Sequence, residues 1–301
     1  MNIFVVNSGS SSIKYQLFKM PDEQPICTGL VERIGLDQSL ITHKVYSKGE
    51  EKIIKLTLDL PDHEAGLNEV ARLLTDAQTG VIRDPGEIDA VGHRVVHGGE
   101  SFASTTIITN EVKEEIKKLF SLAPLHNPAN YLGIEVAEKI FSSARQVAVF
   151  DTAFHQTMPP RAYRYAIPQV FYQEMGIRAY GFHGTSHKYI TEKTIQYLNN
   201  PNAKIITIHL GNGCSMAAVD AGKAIDTTMG FGPLSGLVMG TRSGDIDPSI
   251  IFHMVNQLGY SLDQVNSLLN KQSGMLGLTG FSDMRDILKA IANGDEQAKL
   301  A

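Results

Sequence analysis

The sequence has 301 residues, 43% of them hydrophobic and 20% charged, with a net charge of −5. That length allows two domains and a sizeable core, and that charge offers no footprint for nucleic acid or an anionic membrane surface. The two cysteines, Cys27 and Cys214, make neither a disulfide framework nor a zinc pattern. No signal-peptide pattern opens the chain and no run approaches the roughly 18 apolar residues of a membrane span, so the expectation is a soluble protein of the reducing cytoplasm.

The chain opens on an apolar run from Ile3 to Val6, a Gly/Ser/Asn cluster from Asn7 to Ser12, and a second strand-like run from Ile13. Strand, turn, strand is the natural reading. The turn offers the amide of Asn7, hydroxyls at Ser8, Ser10, Ser11 and Ser12, and the cation of Lys14 close behind. Small donors beside a cation suit an anion such as phosphate. Further strand-like runs follow at 26–34, 41–46 and 53–58. The period then changes, and Leu67, Val70, Ala71 and Leu74 form the stripe of an amphipathic helix. A short strand at 88–91 runs into Gly92-His93-Arg94-Val95-Val96-His97-Gly98-Gly99. Val112, Ile116, Leu119 and Phe120 mark one helix, and Pro128 suits the first turn of the next. Residues 146–150 are apolar enough for a buried parallel strand, which ends at Asp151. The pattern predicts an α/β layer with a mixed sheet and a domain boundary near 150.

Residues 151–180, with Pro159, Pro160 and Pro168, read as irregular. Ser186 is the expected cap of a helix through Leu198. Strands follow at 205–210, 215–219 and 224–227, and the first two flank His209-Leu210-Gly211-Asn212-Gly213. This is a looser copy of the opening strand–turn–strand, and two copies suggest two related halves with a ligand between them. Asp247 before Pro248 starts a helix striped by Ile251, Met254, Val255 and Leu258, and Ser261 with Gln264 forms a capping box. Asp283 begins a helix that Gly294 ends, and residues 295–301 read as a capped helix that has only begun, as if the chain were incomplete.

No P-loop or Rossmann glycine pattern is present. His93/His97 and His183/His187 have the spacing of metal ligands on a helix, but glycines interrupt or adjoin both pairs, so zinc is not expected. Four segments place a charged or imidazole group among small residues where strands should end: 92–94, 150–155, 181–187 and 240–245. Two arginines, Arg94 and Arg242, with Asp151 and His183 around a phosphate-sized gap would suit phosphoryl transfer. Each alone has a plainer reading, as an ion pair, a cap or a hydrogen-bonded histidine.

Six segments in order, 7–14, 92–99, 150–155, 181–187, 209–213 and 240–248, closely resemble the acetate kinases. The resemblance implies two duplicated α/β domains of the ribonuclease H-like kind, the fold of actin-like ATPases, with a cleft between them. It divides the chain at 1–150, the carboxylate and phosphate side, and 151–301, the nucleotide side. It implies reversible transfer of the ATP γ-phosphoryl group to acetate, with Mg²⁺ or alternatively Mn²⁺, in a homodimer. Asn7 would bind the metal. Ser12, Lys14, the loop His209, Leu210, Gly211, Asn212 and Gly213, and the segment Asp283, Met284 and Arg285 would bind nucleotide. Arg94 would bind the carboxylate, in a pocket that includes Val96, Leu125, His126, Phe182 and Pro233. Asp151 is the family's catalytic acid, and His183 and Arg242 would stabilise the transition state. Members of the family continue well past residue 301. The rival readings are a propionate or butyrate kinase, and a nucleotide-binding module without full activity.

Overall fold

The computed structural model describes residues 1–47 and 49–301. The chain divides into two compact units, Met1–Ala153 and Phe154–Ala301.

The first unit is built on an eight-stranded sheet. β1 (Asn2–Ser8), β2 (Ser12–Lys19), β3 (Pro25–Glu32), β4 (Ser39–Ser47) and β5 (Glu50–Leu58) form an antiparallel meander. α1 (His63–Thr75) follows, capped by Asp62, whose carboxylate accepts from the Ala65 N–H. β6 (Ala90–Val95) returns parallel to β1. Then come the two-residue β7 (Thr106–Ile107), α2 (Asn110–Lys118), α3 (Asn127–Ile140) and β8 (Arg145–Phe150), which runs parallel to β6. The strand order is β5-β4-β3-β2-β1-β6-β8-β7, a mixed sheet.

Alternation along the strands sorts the two faces. Phe4, Val6, Ile13, Tyr15 and Leu17 point to one side and pack under Leu67, Val70 and Leu74 of α1 and Val136 of α3. The predicted stripe of α1 is buried throughout. A neighbouring cluster, with Val95, Ile116, Ile134 and Phe150, fills the same layer farther along the sheet. The other face, with Val5, Asn7, Lys14 and Gln16 among its residues, borders a depression of ≈ 560 Å³.

Gly29 has a particular reason to be glycine. The Tyr15 ring lies across it, so a Cβ there would stand 2.1 Å from Tyr15 Cζ. The phenol reaches His43 Nδ1 at 2.7 Å inside the core.

The second unit begins with a 3-10 turn at Ala153–Thr157, which straddles the boundary, then two short helices, α4 (Pro160–Tyr163) and α5 (Val170–Met175). α6 (Gly184–Leu198) leads to a sheet of three antiparallel strands, β9 (Lys204–Leu210), β10 (Cys214–Asp220) and β11 (Lys223–Thr227), in the order β11-β10-β9. α7 (Pro248–Asn256), α8 (Leu262–Lys271), α9 (Gly274–Thr279), α10 (Met284–Ala292) and α11 (Glu296–Leu300) complete it. Asp247, Ser261 with Gln264, Asp283 and Asp295 cap α7, α8, α10 and α11 through their side chains.

Two expectations need correction. α6 starts at Gly184, so its N-cap is His183 rather than Ser186. His183 takes the left-handed conformation (φ 58°), which turns the chain into the helix early. The Ser186 hydroxyl instead meets His209 Nδ1 at 2.9 Å. Leu258 lies past the end of α7 and is exposed, so it does not extend that helix's stripe.

Candidate active site

In the first unit the site residues gather at the ends of β1, β2, β6 and β8. Asn7 pairs with Lys14 across the β1–β2 hairpin. The β1–β6 register ends at Val6 opposite His93, so one further residue brings Arg94 beside Asn7. Lys14, Asn7 and Arg94 therefore follow one another across three adjacent strands, on the face away from the helices.

Arg94 donates from Nε to Asp151 Oδ2 at 2.9 Å and from Nη2 to the same oxygen. The carboxylate is 2% exposed, while the arginine side chain keeps 40% of its surface open. Burial pulls the guanidinium pKa down, but the charge and hydrogen bonds of Asp151 outweigh it and leave Arg94 raised and cationic. Asp151 thus holds the Nε/Nη2 edge, and the open side of the guanidinium can meet an anionic ligand.

The loop after β6 is fixed by two amides of α3. Asn130 Oδ1 accepts from the Val96 N–H at 3.0 Å, and its amide donates to the Ser8 carbonyl at 2.7 Å. Asn127 accepts from the His97 N–H and donates to the His97 carbonyl, each at 3.0 Å. β6 ends at Val95, so Val96 lies in this clamped bend rather than in the strand. His63 at the start of α1 meets the Gly9 carbonyl at 2.6 Å. Ser8 does not offer its hydroxyl to the turn, because the side chain points inward against Gly133, where a Cβ would come 2.3 Å from Oγ. Ser10 and Ser11 are exposed and Ser12 is half-buried. Leu125 is exposed, and His126 is the N-cap of α3.

In the second unit the β9–β10 turn is the centre. Gly211 N–H donates to the Gly213 carbonyl at 3.1 Å, and Gly240 N–H donates to the Asn212 carbonyl at 2.9 Å. A Cβ on Gly213 would stand 3.1 Å from Arg242 Nη1 and 3.6 Å from both Cε1 and Nε2 of His183. Glycine is what lets these two groups close on the loop. Arg242 Nη1 also donates to the Pro233 carbonyl at 3.1 Å, and burial lowers its pKa. The backbone on either side of it is tied down, with Ser243 N–H on the Leu269 carbonyl and Ser273 N–H on the Thr241 carbonyl.

His183 stacks on His209, their centroids 4.1 Å apart. Its Nδ1 meets Ser215 Oγ at 2.9 Å, and His187 Nε2 meets the same oxygen at 2.8 Å. The His183/His187 pair therefore converges on a hydroxyl. Among the described residues no cluster of three or more His, Cys, Asp or Glu is arranged to hold a metal ion. Phe182 is buried, and its carbonyl meets His155 Nε2 at 3.0 Å. Leu210 is exposed at the mouth of the turn. Asp283 caps α10 and is held down to about 2 by hydrogen bonds from the Arg285 side chain and backbone, with Met284 half-exposed between them.

The amides of Asn127 and Asn130 and the chain His187, Ser215 and Thr207 escaped the sequence reading. The signal was faint: two asparagines three apart in the first turn of an apolar helix, and polar residues at 207 and 215 inside apolar strands.

A guanidinium and an imidazole closing on a glycine turn suit the transfer of an anionic group. Together with the fold this defines a phosphotransferase of the kinase kind with an actin-like α/β architecture. The chain belongs to the Acetokinase family, whose family model matches residues 2–301. It is 62% identical over 301 residues to an acetate kinase of Flavobacterium johnsoniae, covering 100% of this chain and 75% of that protein. An acetate kinase of Syntrophomonas wolfei is 52% identical over 304 residues, with 76% of its length covered. Among solved structures, Porphyromonas gingivalis acetate kinase superposes with a TM-score of 0.93 at 44% identity, covering 99% of this chain and 75% of that one. A propionate kinase from Francisella tularensis has the same TM-score, identity and coverage.

Proposed function

We propose that this protein transfers the γ-phosphoryl group of ATP to acetate, reversibly, giving acetyl phosphate and ADP. The identity to acetate kinases supports the substrate pair. The observation that carries the chemistry is the closure of Arg242 Nη1 and His183 Nε2 on Gly213. A carboxylate is already a nucleophile at neutral pH, so no strong base is required. An acetate oxygen attacks the γ-phosphorus and the bond to the ADP oxygen breaks. Arg94, steadied by Asp151, orients the carboxylate. Arg242 and His183 neutralise charge on the equatorial oxygens, and Ser12 and the turn 209–213 carry the nucleotide phosphates with Lys14. Asp283, Met284 and Arg285 are assigned to the nucleotide, and Val96, Leu125 and His126 of the first unit, with Phe182 and Pro233 of the second, to the acid's alkyl end. This divides the labour between a carboxylate and phosphate side, 1–150, and a nucleotide side, 151–301.

Mg²⁺ suits the donor set. Asn7 offers one hard amide oxygen beside Lys14, fitting an ion that takes most of its shell from phosphate and water. When bound with the nucleotide it would offset phosphate charge. The same reading makes the protein a cytoplasmic homodimer, which sedimentation tests.

The direct test is trapping of acetyl phosphate as its hydroxamate from acetate, ATP and Mg²⁺. Product above background, lost in Arg242→Ala, is expected. A folded chain that binds ATP yet forms no hydroxamate would favour a nucleotide-binding module. The propionate kinase neighbour gives the second reading, in which a three-carbon acid is preferred.

A further inference from the structure

His183 touches the loop through its Nε2 edge, so what matters there is whether that nitrogen carries a proton. The answer lies behind it, in three buried groups. His183 Nδ1 meets Ser215 Oγ at 2.9 Å. Ser215 Oγ meets His187 Nε2 at 2.8 Å, and His187 Nδ1 meets Thr207 Oγ1 at 2.8 Å. Each hydroxyl has one proton to give, and a neutral imidazole has one N–H and one bare nitrogen. These limits fix the direction of the whole chain once one end is set.

Thr207 sets it. Its proton can go to His187 Nδ1 at 2.8 Å or to the Ala217 carbonyl at 3.5 Å. The shorter contact is the hydrogen bond of normal length. Burial, with His155 and His209 nearby, holds His187 down at about 4, so it is neutral. With Nδ1 accepting from Thr207, its own proton sits on Nε2 and goes to Ser215. Ser215 then has its proton left for His183 Nδ1. A neutral His183 that accepts on Nδ1 must carry its N–H on Nε2, the edge toward Gly213.

We propose that Ser215 and His187 are positioning residues that hold His183 as a neutral imidazole with its proton on Nε2, a donor aimed at the transferring phosphoryl group. Protonating His183 on Nδ1 would require Ser215 to turn and His187 to change tautomer. The charge of the neighbouring Arg242 guanidinium also disfavours it. Arg242 shares the Gly213 contact, and His209 is stacked face to face with His183. On the far side His155 packs edge-on against His187, 5.7 Å between centroids. A neutral donor keeps the same hydrogen bond across the range in which a free imidazole would titrate. The catalytic consequence rests on the role given to His183 above, whereas the tautomer itself does not.

The test is ¹⁵N NMR of the histidine rings in the 301-residue protein, which reads each nitrogen directly without turnover. In the wild type at neutral pH, His183 should show a bare Nδ1 and a protonated Nε2, and so should His187. Ser215→Ala should let His183 exchange between tautomers and titrate in the ordinary imidazole range. His187→Gln, whose amide can still donate to Ser215, should keep the wild-type pattern. His187→Leu should lose it. In active enzyme, Ser215→Ala should lower kcat about tenfold with little change in KM for acetate, and its pH profile should gain an ionisation the wild type lacks. A wild-type His183 that is cationic or protonated on Nδ1 at neutral pH would overturn the proposal. So would Ser215→Ala and His187→Leu spectra that match the wild type. A correct tautomer in a chain that forms no acetyl phosphate would count only against the reaction assigned above.

Discussion

Arg94 and Arg242 are both expected to neutralise charge, yet the structure separates what their removal does. Arg94 is bonded twice to a carboxylate that is almost fully buried. Arg94→Ala should cut turnover, because it removes the group assigned to the carboxylate. With Asp151 beneath it, the same change should also lower stability, on the order of 2 kcal/mol once the arginine's partial exposure is allowed for. Arg242 bonds only to a carbonyl and a thioether sulfur in its unit. Arg242→Ala should therefore cut turnover at least about a hundredfold, the scale for losing one stabilising donor, with a urea midpoint close to wild type. Equal midpoints for the two variants would show that the Arg94–Asp151 pair contributes nothing to stability. Val96 belongs at the same scale. Its backbone is fixed by Asn130, so its side chain cannot retreat by shifting the loop. Val96→Ala should narrow or reverse a preference for acetate over propionate, within the roughly 1–3 kcal/mol that one methylene can give. The measurement is kcat/KM for both acids, and an unchanged ratio would remove Val96 from the pocket wall.

At the scale of elements, the tyrosine–glycine–histidine row across β2, β3 and β4 is the most exacting packing in the first unit. Gly29→Ala must push the Tyr15 ring away from His43, since the new methyl carbon would overlap it. A loss of about 1–3 kcal/mol is expected from thermal or urea unfolding, with activity retained in the folded fraction. This row also shows what could be read from the residues alone. The opening strand–turn–strand of β1 and β2, the stripe of α1 and the caps at Asp247, Ser261 and Asp283 are local patterns, and they appeared where expected. The second hairpin, β9–β10, was legible for the same reason. The cap of α6 was not, because a histidine in the left-handed region carries no compositional mark. Nor was the inward turn of Ser8, which depends on a glycine 125 residues away. In the site, Arg94, Asp151, His183 and Arg242 stood out by type and setting. The Arg94–Asp151 bond and the Thr207–His187–Ser215 chain join separate strands and helices, and no spacing announces such contacts.

For the whole molecule, buried imidazoles shape the response to acid: His43 is lowered by burial, and three others are held lower still. Burial holds His93 at about 4 against the small opposing effect of its Gln146 hydrogen bond, and burial does the same to His97 and His187. In the unfolded chain such groups titrate near 6.5. Above that pH neither state binds the extra protons and their contribution is fully present. Between 6.5 and 4 the unfolded chain binds them and the folded one does not, so stability falls as pH falls. Each imidazole can contribute up to about 1.4 kcal/mol per pH unit in that window. Urea midpoints measured from pH 8 to 4 should hold steady and then drop below about 6.5. A His93→Gln variant should show a shallower slope, and an identical slope would mean that His93 is not buried neutral.

β1 and β9 occupy matching places in their hairpins, but their outer margins differ. β6 lies along β1, whereas β9 is the last strand of its sheet among the described residues. Ile206, Ile208 and Leu210 line that strand at 71, 50 and 80% exposure. Within this 301-residue chain, a strand at the edge of its sheet that carries exposed aliphatic side chains can pair with a strand of another molecule. These residues should therefore promote self-association of the 301-residue chain. Ile208→Lys should lengthen the time before a quiescent solution turns turbid, and light scattering that rises at the same pace in both proteins would place the weakness elsewhere.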